Sequence, residues 1–167
     1  MAAPNRRRNG DPGRVITFYS YKGGTGRTMA LANVAWILAS SGYRVLVVDW
    51  DLESPGLHRF FHPMLADPQL HSSDGVIDMI REFAAEALAT QHQGQNPPPP
   101  GPGRPDAEPA TNHPDVRRYA VSLDWRFANG GELDLLPSGR QGPAYSMTVS
   151  TFDWPSFYER LNGAAYL

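Results

Sequence analysis

One short segment constrains this chain more than any other: YKGGTGRT at residues 21–28, with glycine at 23, 24 and 26. It lies between a β-branched and aromatic run, VITFY at 15–19, and an alanine-rich run, MALANVAWILAS at 29–40. A glycine-rich turn between strand and helix lets several backbone N–H groups converge on one concavity that side chains would crowd. The helix start adds its positive dipole end, so the natural ligand is a phosphate. The 15–19 run suits a buried strand. The helix that follows, to about Ser41, places Leu31, Val34, Ala35 and Leu38 on one face. Gly42 ends it, because glycine tolerates the left-handed position after a helix. RVLVVD at 44–49 is a continuous apolar run ending in a carboxylate, the pattern of a parallel strand covered on both faces. Strand, glycine loop, helix and strand fit one βαβ unit, whose right-handed crossover makes its two strands parallel. The expected fold is α/β, a P-loop NTPase-type parallel sheet flanked by helices.

Against the general phosphate-loop pattern G-x-x-x-x-G-K-[ST], Tyr21 stands for the first glycine and Arg27 for the lysine. Guanidinium keeps the positive charge and can fork onto phosphate oxygens, but it is planar and bulkier than an ammonium. Thr28 has the position of the hydroxyl that ligates Mg²⁺. Lys22, Gly23, Gly24, Thr25, Gly26, Arg27, Thr28 and Met29 form the expected nucleotide cradle. Asp49 and Asp51 follow the second strand, and carboxylates at the carboxyl end of a parallel strand lie beside the ligand crevice of an open sheet. Trp50 between them has no evident chemical role.

The order K-G-G-x-G-[KR]-[ST] resembles the deviant Walker A signature of the ParA/MinD class of P-loop ATPases. VLVVDWDLESPG resembles the D-x-D element of the same class. The likeness is firmest over 15–61 and patchier beyond, where LDLLPSGRQ is similar to a strand-plus-PSG segment of that architecture. Within the class, the chain looks like a KGG-G-R variant. It is similar to the ATPase region of tetratricopeptide-repeat proteins from FxSxx-COOH peptide systems. The resemblance implies ATP with Mg²⁺, and a homodimer formed through the nucleotide face. It implies that Lys22 reaches the phosphates across that dimer, where a charge from the partner would act like an arginine finger. Asp51 would orient the attacking water, and Asp49 would help organise the Mg²⁺ region, giving a metal set of Thr28, Asp49 and Asp51. Such a module switches an unknown protein partner or a fused effector by ATP binding and hydrolysis. One class element is not seen: no apolar strand ending in D-x-x-[GS] follows Asp51. The chain therefore reads as the first part of such a domain, a fragment, and hydrolysis by these residues alone is in question. The alternative reading is a non-catalytic nucleotide-binding or interaction module. A related bacterial tyrosine kinase would carry a terminal tyrosine cluster, whereas Tyr158 and Tyr166 stand apart.

The rest of the chain divides by composition. Residues 1–13 are polar with three successive arginines and read as a disordered arm. Residues 14–91 form the N-terminal part of the ATPase domain, including an amphipathic helix at 75–90 with Ile77, Ile80, Phe83, Ala84 and Leu88 near one face. Residues 92–114 contain NPPPPGPGRP and read as a proline-rich flexible linker. Residues 115–167 continue the domain and read as truncated, with a strand at 133–136 and a helix over 156–167. Trp125, Phe127, Trp154, Phe157 and Tyr158 read as core anchors.

Zero cysteines exclude disulfides and thiolate metal sites. A net charge of −2 offers no general attraction to nucleic acid or anionic lipid, so nucleic acid is not an expected partner. No apolar run approaches the roughly 20 residues a membrane span needs. A cytoplasmic location is expected. His58 and His62 share the i,i+4 spacing of zinc helices, but HRFFH lacks the glutamate of that motif.

Overall fold

The structure, a computed structural model, describes residues 13–93 and 115–166. The expected arm over 1–13 lies outside the described residues except for Gly13, and the expected linker over 92–114 does so except for 92–93, which belong to the second long helix instead. Within them, helix α1 (Arg27–Ser40) leads into strand β1 (Arg44–Val48). Two 3₁₀ turns follow, Leu57–Phe60 and His62–Met64, and then α2 (Val76–Gln93). A further 3₁₀ turn (Val116–Arg118) precedes β2 (Val121–Ser122) and β3 (Glu132–Leu136). Three short helices close the described chain: α3 (Tyr145–Ser150), α4 (Trp154–Arg160) and α5 (Gly163–Tyr166).

The sheet has the order β1-β3-β2. β1 and β3 are parallel, with Arg44 opposite Glu132 and Val48 opposite Leu136, and β2 is antiparallel to β3. The small α/β sheet with parallel pairing thus forms, but around a different pair of strands from the one expected. Residues 13–20, including VITFY, are in no strand, and Val15 and Ile16 are 95% and 58% exposed. β3 has both flanks taken by β1 and β2, and residues 15–19 pair with neither outer edge of the sheet, although that of β1 is free. A run with no paired neighbour leaves its backbone groups to water, so VITFY stays outside the sheet.

Side chains alternate across the sheet as the two-residue period requires. Val45, Val47, Leu133 and Leu135 pack with α1, and Val48 and Leu136 with α2 and α4. Cover on this second face is incomplete, since Leu46 is 45% exposed. The helix α1 is seated by its small residues: Ala32, Ala35 and Ala39 are buried, while Leu31 and Val34 are half-buried. Alanines let the helix approach the sheet closely, so of the expected face Leu31, Val34, Ala35 and Leu38 only Ala35 is buried, and the buried stripe runs to one side of the larger residues. The end of α1 is a Schellman motif: Gly42 N–H bonds to Ala39 O at 2.9 Å and Tyr43 N–H to Leu38 O at 3.1 Å, with Gly42 at φ 91°.

In α2, Val76, Ile77, Met79, Ile80 and Ala84 are buried, whereas Leu88 is exposed. The expected C-terminal helix is broken at Asn162, which has φ 54°, and becomes α4 and α5. Phe157 fills the interior there and requires Gly163, where a Cβ would stand 2.3 Å from its ring. Of the expected core aromatics Phe127 and Phe157 are buried, but Trp125 and Tyr158 are about half exposed.

Asp67 holds the loop ahead of α2, accepting bonds from the N–H of His71 and Ser72 and from the hydroxyls of Ser72 and Ser73. Partial desolvation pushes its carboxyl up, but these four donors outweigh it and bring the pKa from 3.8 to about 2. A depressed folded pKa adds stability above the unfolded value, lost as pH falls from about 3.8 through about 2. Asp67→Asn should remove that acid dependence and speed amide exchange at Ser72. Unchanged exchange at Ser72 would count against Asp67 as the organiser of this loop.

Candidate phosphate-binding site

The glycine loop stands at the head of α1. Gly24 and Gly26 have φ of 72° and 79°, left-handed values that glycine adopts without cost. Gly26 is the N-cap of α1, and no side chain caps the helix. Its leading N–H groups therefore face outward with the helix dipole behind them. A Cβ at Gly23 or Gly24 would meet nothing within 4 Å, so the loop is open on its outer side. Its shape is kept by Ser20, whose hydroxyl donates to Lys22 O at 2.8 Å and lies 3.0 Å from Thr25 Oγ1.

Arg27 donates from Nη1 to Ser20 O at 3.2 Å. The residue that replaces the usual lysine thus spans the loop and ties its two ends. Lys22, Thr25, Thr28 and Met29 are all exposed. Ser20 is a contributor that the motif did not reveal; a hydroxyl five residues before Thr25 was the available signal.

The two aspartates after β1 differ sharply. Asp49 is buried, and its Oδ2 accepts from the N–H of Gly56 and of Leu57, each at 3.1 Å, while Oδ1 lies 3.4 Å from Asp51 N. Burial raises its pKa, opposed by the bonds from Leu57 and Gly56. Asp49 is therefore an organiser of the 50–57 loop. Asp51 is exposed and accepts from Ser54 N–H at 3.0 Å through Oδ1. The hydrogen bonds tie Ser20, Lys22, Thr25 and Arg27 into one loop and Asp49 and Asp51 into another. Among the described residues, no group of three or more His, Cys, Asp or Glu side chains is gathered to hold a metal by itself. His58 is buried with Nδ1 unpartnered, and His62 Nε2 lies 3.0 Å from Gln69 Nε2, so the two are not a zinc pair.

Asp49→Ala should cost about 2–3 kcal/mol, because buried N–H groups would lose their acceptor. Asp49→Asn should cost about 1 kcal/mol, since its carbonyl can keep the Gly56 and Leu57 bonds. Urea unfolding distinguishes the two; equal costs would mean that these bonds do not hold the loop.

A glycine loop at a helix N-terminus, followed by a parallel strand ending in a carboxylate, defines a nucleotide-binding P-loop module. Comparison with known proteins points the same way. Residues 13–55 match the family described as AAA domain, a P-loop ATPase type. A protein of Sinorhizobium fredii named "Putative replication protein A" is 32% identical over 90 residues, covering 53% of this chain and 22% of that protein. A protein of the same name from Rhizobium rhizogenes is 47% identical over 45 residues, 27% of this chain and 11% of its own length. An uncharacterized ATP-binding protein of Methanocaldococcus jannaschii is 48% identical over 44 residues, 26% of this chain and 17% of its length. The chain thus spans less than a quarter of each of these relatives. No solved structure gives a significant match. Among the described residues, no helix is long and apolar enough to cross a membrane.

Proposed function

We propose that this chain carries the phosphate-binding half of a ParA/MinD-class ATPase site and serves as an ATP-dependent dimerisation switch in the cytoplasm. The observation that carries the reading is the open loop at 22–28, with left-handed Gly24 and Gly26 at an uncapped helix start. The residues present fit a nucleotide phosphate: the uncapped first turn of α1 behind left-handed Gly24 and Gly26, the cations Lys22 and Arg27, and the exposed Thr28. The name of the archaeal relative, an ATP-binding protein, favours ATP as the ligand.

Mg²⁺-ATP supplies the transferable phosphoryl group and most of the charge to be neutralised. The backbone of 23–28 binds that charge, with Met29 beginning the helix behind it. Thr28 would offer its hydroxyl to Mg²⁺ and Asp51 would join it as a ligand, with Asp49 shaping the loop that carries Asp51. Lys22 acts on the phosphates of a second copy; its exposed side chain, joined to the loop's hydrogen bonds only through its carbonyl, supports this reading. Arg27 holds the loop's ends together. The partner switched by this module is a protein or a fused effector.

Phosphate release by the wild type, Lys22→Ala and Asp51→Ala tests the reading, together with binding of a fluorescent ATP analogue and sedimentation with and without nucleotide. The switch predicts ATP-dependent dimers and loss of turnover in both variants. Equal turnover in all three, or no change of mass with ATP, would leave a simple nucleotide-binding module in its place.

A further inference from the structure

A second concavity lies beside the Asp51 loop. A cavity of about 380 Å³ is lined by Trp50, Asp51 and Glu53 on one side and by Trp154 and Tyr158 of α4 on the other. Trp154 and Tyr158 stack, with ring centroids 6.2 Å apart and planes inclined by 26°. Trp50 and Tyr158 are 49% and 47% exposed, a large aromatic area to leave in water. The ion pairs of the described residues are Arg44–Glu132, Arg118–Glu82 and Arg140–Asp74, so Asp51 and Glu53 face the cavity without a counter-charge.

Aromatic faces attract cations through their negative quadrupole, and carboxylates accept the forked N–H groups of a guanidinium. Walls of both kinds around one small cavity define a receptor for a planar cation with apolar faces. We infer that this cleft binds an arginine side chain presented by a partner polypeptide, with the guanidinium against Trp50 and Tyr158 and its N–H groups on Glu53. This gives Trp50, which the nucleotide reading leaves without a role, a direct function. Arginine is favoured over lysine because its guanidinium is planar, weakly hydrated and able to stack. The inference rests on the cleft alone and holds whether or not the chain hydrolyses ATP. Because Asp51 lines this cleft, a docked arginine would also sit beside the residue proposed to orient water.

The test is titration of the full chain with the peptide Ac-Gly-Arg-Gly-NH₂, its citrulline counterpart and its trimethyl-lysine counterpart, followed by the indole N–H signals of Trp50 and Trp154. The arginine peptide should shift both signals saturably, and neutral citrulline should shift neither. Glu53→Gln and Tyr158→Leu should each weaken binding about tenfold, with thermal unfolding confirming that both variants are folded. Trp50→Phe should retain most of the affinity, since a ring remains. Equal response to citrulline, undiminished binding by Glu53→Gln and Tyr158→Leu, or tighter binding of trimethyl-lysine would overturn the assignment. Loss of ATP binding in the Thr28→Ala variant with arginine binding intact would show that the two sites stand separately.

Discussion

Gly131→Ala is expected to unfold much of the protein, although it adds a single methyl group. A Cβ at this position would lie 1.9 Å from Ala39 O and 2.9 Å from Tyr43 O. Both obstacles are backbone, at the end of α1 and the start of β1, and neither can rotate away. The same junction is tied by Asn129 Nδ2 to Ser40 O at 2.8 Å and by Glu132 N–H to Tyr43 O at 3.1 Å. Relief would require separating α1 from β3, which breaks the core around Ala39 and Leu133. Overpacking ordinarily costs about 1–3 kcal/mol, and a backbone collision of this depth belongs at or above the top of that range. Against a typical stability of about 5–15 kcal/mol, that loss is large. The neighbouring Gly130→Ala is the control: its Cβ would meet nothing within 4 Å, and only its φ of 71° is costly, about 1–2 kcal/mol. Urea midpoints for the two variants decide the matter, and equal midpoints would mean that the α1–β3 approach is looser than described.

Gly24→Val should do the opposite, abolishing nucleotide binding with the fold intact. Valine at φ 72° is strained by its branched Cβ, yet that Cβ would touch nothing within 4 Å. With no packing to resist it, the exposed loop relaxes into another backbone conformation. The N–H groups then no longer converge on the phosphates. Affinity for an ATP analogue should fall by at least about tenfold, some 1.4 kcal/mol, while the thermal midpoint moves little. Gly23→Ala, free of positive φ, should bind appreciably better than Gly24→Val. Comparable affinity of wild type and Gly24→Val would remove the glycine loop from the binding site.

Much of this could be read from the sequence because it depends on local chemistry. Gly24 and Gly26 give turn geometry wherever they fall, Gly42 stops a helix, and LDLL at 133–136 reads as a strand because it is a short apolar run closed by Pro137-Ser138-Gly139. The AAA-type match over residues 13–55 covers the glycine loop and the Asp49–Asp51 pair, the densest signal in the chain. Hydropathy was less informative where packing geometry decides. It put Leu31, Val34, Ala35 and Leu38 on the inner face of α1; of these only Ala35 is buried, and contact with the sheet adds Ala32 and Ala39 for their small size.

By itself the sequence determined the glycine loop, the helix it opens, the strands at 44–48 and 133–136, and the carboxylates that follow the first of them. Only the tertiary structure decided that VITFY stays outside the sheet, since strand pairing depends on which segments the fold brings side by side and not on local composition. Burial and hydrogen bonding, which no single position encodes, likewise separated Asp49 as a loop organiser from the exposed Asp51. The Trp50–Tyr158 cleft joins residues more than 100 positions apart in the chain, and only folding brings α4 against the loop after β1.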